Sequence, residues 1–375
     1  MTPVTGRSRF CSVCPSFALL ARLASSGQDA GVGNAIDRDR WLAQVREEIL
    51  EPALPICDPH HHLWDHPGRR YLLDELLADT GSGHNVTATV FVECLSMYRA
   101  DGPEAMRPVG ETEFVNGVAE MSASGRYGAT RVAAGIVSFA DLTLGERVGD
   151  VLDAHMAVSS RFRGIRHAAG WDASDDVRKS HTNPPAGLLA DARFRRGFTE
   201  LGRRGLSFDA WLYHPQIPEL TNLAGAFADT TIVLDHFGGP LGIGPYTGRR
   251  AEIFGYWKGA IRALARCPNV VAKLGGLVMP INGFGFHRRE RPATSAELVE
   301  ATRDWYLHAI ECFGPDRCMF ESNSPVDKAS CSSHVLWNAF KRLAVGFSAA
   351  DKAALFHDTA ARVYRLRGSE ARVPA

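Results

Sequence analysis

Residues 56–66 read ICDPHHHLWDH. The first half is a short apolar run of the kind that forms a buried strand, and histidines crowd its carboxyl end. In a strand, successive side chains point to opposite faces. His60 and His62 are therefore expected to share one face and His61 to take the other, with His66 exposed in a turn before Pro67. Two imidazoles at positions i and i+2 can chelate one cation, and neutral imidazole is a common ligand for zinc-like ions.

The same grammar recurs along the chain. Further strand candidates are ATVFVEC (88–94), RVAAGIVSF (131–139), RFRGIRH (161–167), LSFDAWLY (206–213), TIVLDHF (231–237), NVVAKLGG (269–276) and RCMFESN (317–323). With LPICDPHH they make eight. Most are apolar throughout, as strands covered on both faces are. Amphipathic stretches such as ARFRRGFTELGRRG and ELVEATRDWYLHAIECFG lie between them, the second stopped by Gly314-Pro315. SAADKAALFHDTAARVYRL reads as a closing helix with Ser348 as its N-cap. Strand followed by helix, eight times over, predicts an α/β fold, a (β/α)8 TIM barrel. The rival, a doubly wound open sheet, calls for a glycine-rich phosphate loop after an early strand, and no G-x-G-x-x-G stands there. The expected organisation is an N-terminal extension with a lead-in helix over 1–50, disordered in its Ser/Ala/Gly-rich first 36 residues, and a single barrel domain over 51–368.

Barrel active sites lie at the carboxyl ends of the strands. Polar residues fall at those ends here: His60 and His62, Glu93, Arg166 with His167, His214 just past strand five, His236, Lys273, and Glu321 with Asn323. Histidines at three separate strand ends point to one shared site rather than to unrelated core residues. Asp235, next to His236, is expected to face outward on strand alternation. Two long, Gly/Pro-punctuated loops, 96–114 and 277–293, carry further arginines. Arginine grips a carboxylate through two parallel hydrogen bonds, so Arg99, Arg166 and Arg288 are candidate substrate anchors. Trp64, Tyr98 and Phe286 could supply a flat wall for a ring.

Bulk composition narrows the partners. Lys plus Arg and Asp plus Glu balance at 42 each, so no basic footprint for nucleic acid or an anionic membrane exists. No apolar window of membrane-spanning length occurs. The eight cysteines include one C-x-x-C, Cys11 and Cys14, without the second pair that a zinc ribbon needs. The remainder read as reduced thiols, which with the absence of a secretory core points to a cytoplasmic protein. The partner is a small-molecule substrate, and a homo-oligomer is compatible with this organisation.

The segments DPHHHLWD, VFVEC, GIRH, LYHPQI, VLDHFGG and MFESNSPVDK together resemble the amidohydrolase-related (amidohydrolase 2) family of TIM-barrel hydrolases in the amidohydrolase superfamily, over roughly residues 54–366. The resemblance implies that His60 and His62 are metal ligands, that His214 completes the site, and that His236 is a ligand or an acid/base. It implies a divalent cation, zinc first, although some relatives with similar histidines work without one. Relatives end strand eight in S-D-x-P, whereas this chain reads Ser322-Asn323-Ser324-Pro325. Asparagine is no base near neutral pH. Glu321, two residues earlier and on the same face, is the expected replacement, and Glu93 and Asp327 are further sources of a carboxylate. The expected catalytic group is thus His236, Glu321 and Asn323, with Glu93 among the substrate contacts. The activity implied is hydrolysis of a small carboxylate-bearing lactone or related cyclic ester or amide. A metal-dependent nonoxidative decarboxylase of an aromatic or unsaturated acid, and a non-catalytic barrel that has lost its base, are the alternatives.

Overall fold

The computed structural model describes residues 35–366. Residues 1–34 of the expected disordered tail, the Cys11/Cys14 pair among them, lie outside the described residues, and the last two residues of that tail open a lead-in helix, Ala35–Leu42. Eight strands follow: β1 Pro55–His61, β2 Asn85–Val92, β3 Arg131–Ser138, β4 Phe162–Arg166, β5 Ser207–Ala210, β6 Ile232–Leu234, β7 Val270–Leu274 and β8 Cys318–Phe320. They pair in chain order and in parallel throughout. The helices that cross back between them are α1 Leu73–Thr80, α2 Val109–Ala123, α3 Val148–Val158, α4 Ala192–Arg203, α5 Ile217–Ala226, α6 Arg250–Leu264, α7 Ser295–Phe313 and α8 Ser333–Leu343. A small antiparallel hairpin, Trp64–His66 with Arg69–Tyr71, leaves the end of β1.

The helix ends follow local chemistry. Asp191 caps α4 by accepting from the backbone N–H groups of Arg193 and Phe194. Thr294 and Glu297 form a reciprocal capping box on α7, which stops at Gly314 with φ 82°. Ser348 caps the closing helical run Ala349–Ala353, Ala354–Asp358 and Thr359–Val363, whose middle turn is a π-helix.

Closure of the barrel between β8 and β1 is thin in backbone terms. It consists of an isolated parallel bridge between His61 and Ser324 and a bond from the His62 N–H to the Ser324 carbonyl, 2.8 Å. Asp58 stitches the seam further, accepting from the Ser322 N–H at 2.9 Å and its hydroxyl at 2.6 Å. Burial pushes the Asp58 carboxyl up to about 7, against those hydrogen bonds.

Alternation along the strands divides the core in two. Val90, Val92, Val137, Val233, Val271 and Met319 fill the barrel, plugged below by Tyr364 from the closing helix. Phe208, Ile232, Leu234, Ala272, Leu274 and Phe320 face the helix layer. This phase fixes which polar residues enter the barrel. Asp209 sits between outward Phe208 and Ala210, Lys273 between Ala272 and Leu274, and Glu321 two residues past Met319.

β1 keeps its histidines in phase by an irregularity. Asp58 pairs with Thr89 and His61 with Phe91, so β1 spends three steps where β2 spends two. The extra residue in this bulge, beside Pro59, reverses the alternation set by inward Cys57. His60 and His62 therefore point inward, while His61 faces the helix layer, bonded to the Thr89 hydroxyl at 2.9 Å.

Candidate active site

The upper barrel holds a buried, mutually bonded group of ionisable side chains. The Nε2 atoms of His60 and His62 face one another at 3.3 Å. His62 directs Nδ1 to the Val92 carbonyl, 2.8 Å away, which commits its proton there and leaves Nε2 as an acceptor. Burial holds both rings well below the ordinary imidazole pKa, reinforced by Lys273 at His60 and by Arg166 at His62. Both are neutral at physiological pH.

Glu321 joins two strands' histidines. Its Oε1 lies 2.6 Å from His236 Nδ1, and its Oε2 lies 2.9 Å from His60 Nδ1. The residues that make room for this carboxylate are Gly275 and Gly276, at the end of β7. A Cβ on Gly275 would fall 2.4 Å from Glu321 Cγ, and one on Gly276 would fall 2.4 Å from His236 Nδ1. Gly276 also has φ 71°, a conformation that disfavours side chains. His236 itself has φ 51° and packs edge-on against Trp211 at 5.0 Å.

Two cations balance part of the acidic charge. Lys273 donates to Asp209 at 2.7 Å, lies 3.2 Å from Asp235 Oδ1 and touches His60 Nδ1 at 3.2 Å. Tyr364 donates to the same Asp209 oxygen, 2.7 Å away. Burial works against the Lys273 ammonium, but Asp209 and Asp235 outweigh it and hold the group above its ordinary pKa. Arg166 gives Nε to Glu93 Oε1 at 2.6 Å and a second nitrogen to the Glu93 carbonyl, and its Nη1 lies 3.4 Å from His60 Nε2. His181, from the long loop after β4, meets the same Glu93 oxygen at 2.8 Å. Burial works against ionisation of Glu93, yet His181 and Arg166 hold it well below the usual carboxylate range.

Several sequence-named residues take other places. Asp235 turns inward, not outward: it continues the inward phase of Val233, and the left-handed backbone at His236 brings that ring in as well. Asn323, also left-handed at φ 49°, donates to Asp327 at 3.1 Å, so of the two strand-eight candidates Glu321 is the one that reaches the histidines. Asp327 accepts from the Gly276 N–H at 3.0 Å, and burial raises its carboxyl to about 7. His214 is not joined to the His60–His236 group. Its ring meets Tyr246 and Tyr256 edge-on, and its Nδ1 accepts from the Leu241 N–H at 3.2 Å. Arg99 forms an exposed ion pair with Glu113, and Arg288 donates to neighbouring His287 at 3.2 Å on the surface; neither joins the cluster. His167 lies against Phe139 and Phe194 beside the helix layer. Trp64 stacks on His62 at 5.6 Å, whereas Phe286 is buried under Arg289.

Asp209, His181 and Tyr364 were not singled out from the sequence. For Asp209 a signal existed, an acid inside the otherwise apolar LSFDAWLY. For His181 and Tyr364 none did, since each reaches the group only through the fold.

The donor set fits a divalent cation. His60, Asp235 and His236 offer ligand atoms that all lie within 4.8 Å of one another. Both carboxylate oxygens of Asp235 are buried and lack a well-formed hydrogen bond, with Lys273 3.2 Å from Oδ1 and Arg166 3.8 Å from Oδ2 as ion-pair neighbours. The His60–His62 Nε2 separation of 3.3 Å is close to the roughly 3.4 Å edge of a tetrahedron with about 2.1 Å zinc–nitrogen bonds.

Comparison with known proteins places this geometry. The amidohydrolase family model matches residues 57–366. An uncharacterized protein, y4mH, of Sinorhizobium fredii is 36% identical over 335 residues, covering 84% of this chain and 99% of its own. L-fucono-1,5-lactonase of Burkholderia multivorans is 28% identical, with 82% and 95% covered. The crystal structure of a B. multivorans amidohydrolase with bound zinc superposes with a TM-score of 0.62 at 26% identity, covering 83% of this chain and 99% of that one.

Proposed function

We propose, from the premise that this chain belongs to the amidohydrolase family, that it hydrolyses a small carboxylate-bearing lactone or a related cyclic ester or amide. The observation that carries the reading is the 2.6 Å contact between Glu321 Oε1 and His236 Nδ1. A carboxylate there keeps the proton on Nδ1 and leaves Nε2 as a base. As water attacks the ring carbonyl carbon, His236 Nε2 takes its proton, and Glu321 stabilises the imidazolium that forms. When the ring C–O bond breaks, His236 returns that proton to the leaving oxygen. Arg166, held by Glu93 through Nε and Nη2, carries Nη1 beside His60 Nε2 at 3.4 Å and Asp235 Oδ2 at 3.8 Å, where it would meet the substrate's carboxylate. Trp64, stacked on His62, forms a wall at the mouth. A divalent cation held by His60 and Asp235, with His62 Nε2 beside His60, would polarise the carbonyl oxygen.

Two relations support this choice of substrate class: the similarity to a lactonase at 28% identity and the zinc held by a similar barrel. Decarboxylation needs no hydrolytic base, so the buried Glu321–His236 pair favours hydrolysis over it. The test is a panel of sugar-acid lactones, L-fucono-1,5-lactone included, assayed for acid release with a pH indicator, beside aromatic acids assayed for CO2. Acid release from lactones is the expected result. CO2 release without lactone opening would replace hydrolysis by decarboxylation, and silence on both panels would leave a binding barrel.

A further inference from the structure

A second cavity, of about 330 Å³, opens on the same end of the barrel but outside the strands. It lies between the start of α6 and the middle of α7, roofed by the loops after β6 and β7. Those loops cross backbone to backbone. The Gly242 N–H donates to the Ile281 carbonyl at 2.9 Å, and a Cβ on Gly242 would fall 2.2 Å from the Asn282 carbonyl oxygen. The walls are therefore held at close quarters rather than left to drift.

Three chemical features converge on this space. Asn282 is 4% exposed. It donates Nδ2 to the Pro240 carbonyl at 2.7 Å, and its Oδ1 is buried with no donor. That assignment of the amide is forced, because Pro240 O can only accept. A buried acceptor left unpaired is costly unless a ligand supplies the missing donor. Arg250, at the rim, stands with its guanidinium carbon 3.7 Å from the centre of the Phe284 ring and gives one N–H to the Gly283 carbonyl at 3.0 Å. It has no carboxylate partner among the described residues, so its charge is open to an anion. Phe284, Tyr246 and Trp305 add flat apolar surface, and the Tyr246 hydroxyl is already committed to Asp172 at 2.7 Å. The volume is at the small end of the roughly 300–1,000 Å³ typical of small-molecule sites.

We propose that this cavity is a second ligand site, taking a planar ring carboxylate that bears a hydroxyl or amino donor. The carboxylate pairs with Arg250, the ring lies against Phe284 and Trp305, and the donor meets Asn282 Oδ1. None of these side chains bonds to the His60–His236–Glu321 group, so occupancy here is separable from the catalytic centre.

The experiment titrates the full chain with 4-hydroxybenzoate, benzoate and phenol by calorimetry, with tryptophan fluorescence as a second readout. The expected order is 4-hydroxybenzoate tightest, then benzoate, with phenol weaker by about tenfold or more, as for loss of a charge-assisted hydrogen bond. Arg250→Met and Phe284→Leu, both checked for native circular dichroism, each weaken 4-hydroxybenzoate by about tenfold. His236→Asn leaves that affinity unchanged. The proposal is overturned if no probe binds at roughly 10 mM, if Arg250→Met binds as tightly as the natural chain, or if binding is lost in His236→Asn, which would put the ligand in the catalytic centre.

Discussion

Replacing Glu321 with glutamine keeps the side chain's shape and removes its charge. In the native site the carboxylate lies 2.6 Å from His236 Nδ1, and both groups are buried. If His236 carries a proton in the transition state, the lost interaction is that between an imidazolium and a carboxylate. At a charge separation of about 4 Å and an effective dielectric of about 20, it is worth about 4 kcal/mol. At 1.36 kcal/mol per tenfold, kcat should fall by roughly 10³, inside the 10²–10⁴ expected for general-base catalysis. The glutamine amide can also donate to Nδ1 and favour the wrong tautomer, which adds to the loss. The assay is steady-state kcat on an active lactone by acid release, with thermal unfolding of both chains to show that the barrel survives. KM should move little, because Glu321 faces the histidines rather than the substrate carboxylate. A well-folded Glu321→Gln protein with kcat within about threefold of the natural chain would refute the reasoning and return attention to Glu93 and Asp327.

Gly276→Ala should imitate that loss from a distance. Its Cβ would fall 2.4 Å from His236 Nδ1, so kcat should drop by about 10² or more, with circular dichroism unchanged; full activity would mean that the Glu321–His236 contact is dispensable. Arg166→Lys keeps the charge but loses the fork, and KM for a carboxylate-bearing substrate should rise about tenfold to hundredfold; an unchanged KM would remove Arg166 from the binding site. His62→Ala should lower zinc binding measured by elemental analysis from about one equivalent per chain to a small fraction; equal zinc contents would exclude His62 as a ligand. Burial, with the charge of Glu93, raises Glu111 to about 8 in the folded chain, against about 4.3 when unfolded. The folded state then holds a proton that the unfolded state releases, so stability falls as pH rises from about 4 to about 8 and levels off above. Glu111→Gln should therefore lose less melting temperature than the natural chain between about pH 5 and 8, and parallel curves would contradict the assignment.

The one-dimensional sequence determined the architecture because burial on both faces leaves a strong mark. Eight apolar runs of strand length, each followed by an amphipathic stretch, are enough to specify a parallel barrel; seven of the eight strands formed within those runs, and β2 began before its run, at Asn85. The polar residues at their carboxyl ends marked where the candidate site gathers, and a period of two put His60 and His62 on one face. What the period could not carry was the places where the backbone leaves it. A bulge between Asp58 and His61 resets the phase of β1. Left-handed residues at His236 and Asn323 end two strands, bringing the His236 ring inward beside Asp235, which keeps the inward phase of Val233, and turning the Asn323 amide away to Asp327. Nor could local pattern bring Tyr364 to Asp209, 155 positions away, or His181 to Glu93, 88 positions away. Those partners are chosen only when the barrel closes. A buried charge without a counterpart is expensive, and the closed interior leaves each carboxylate few places to find one.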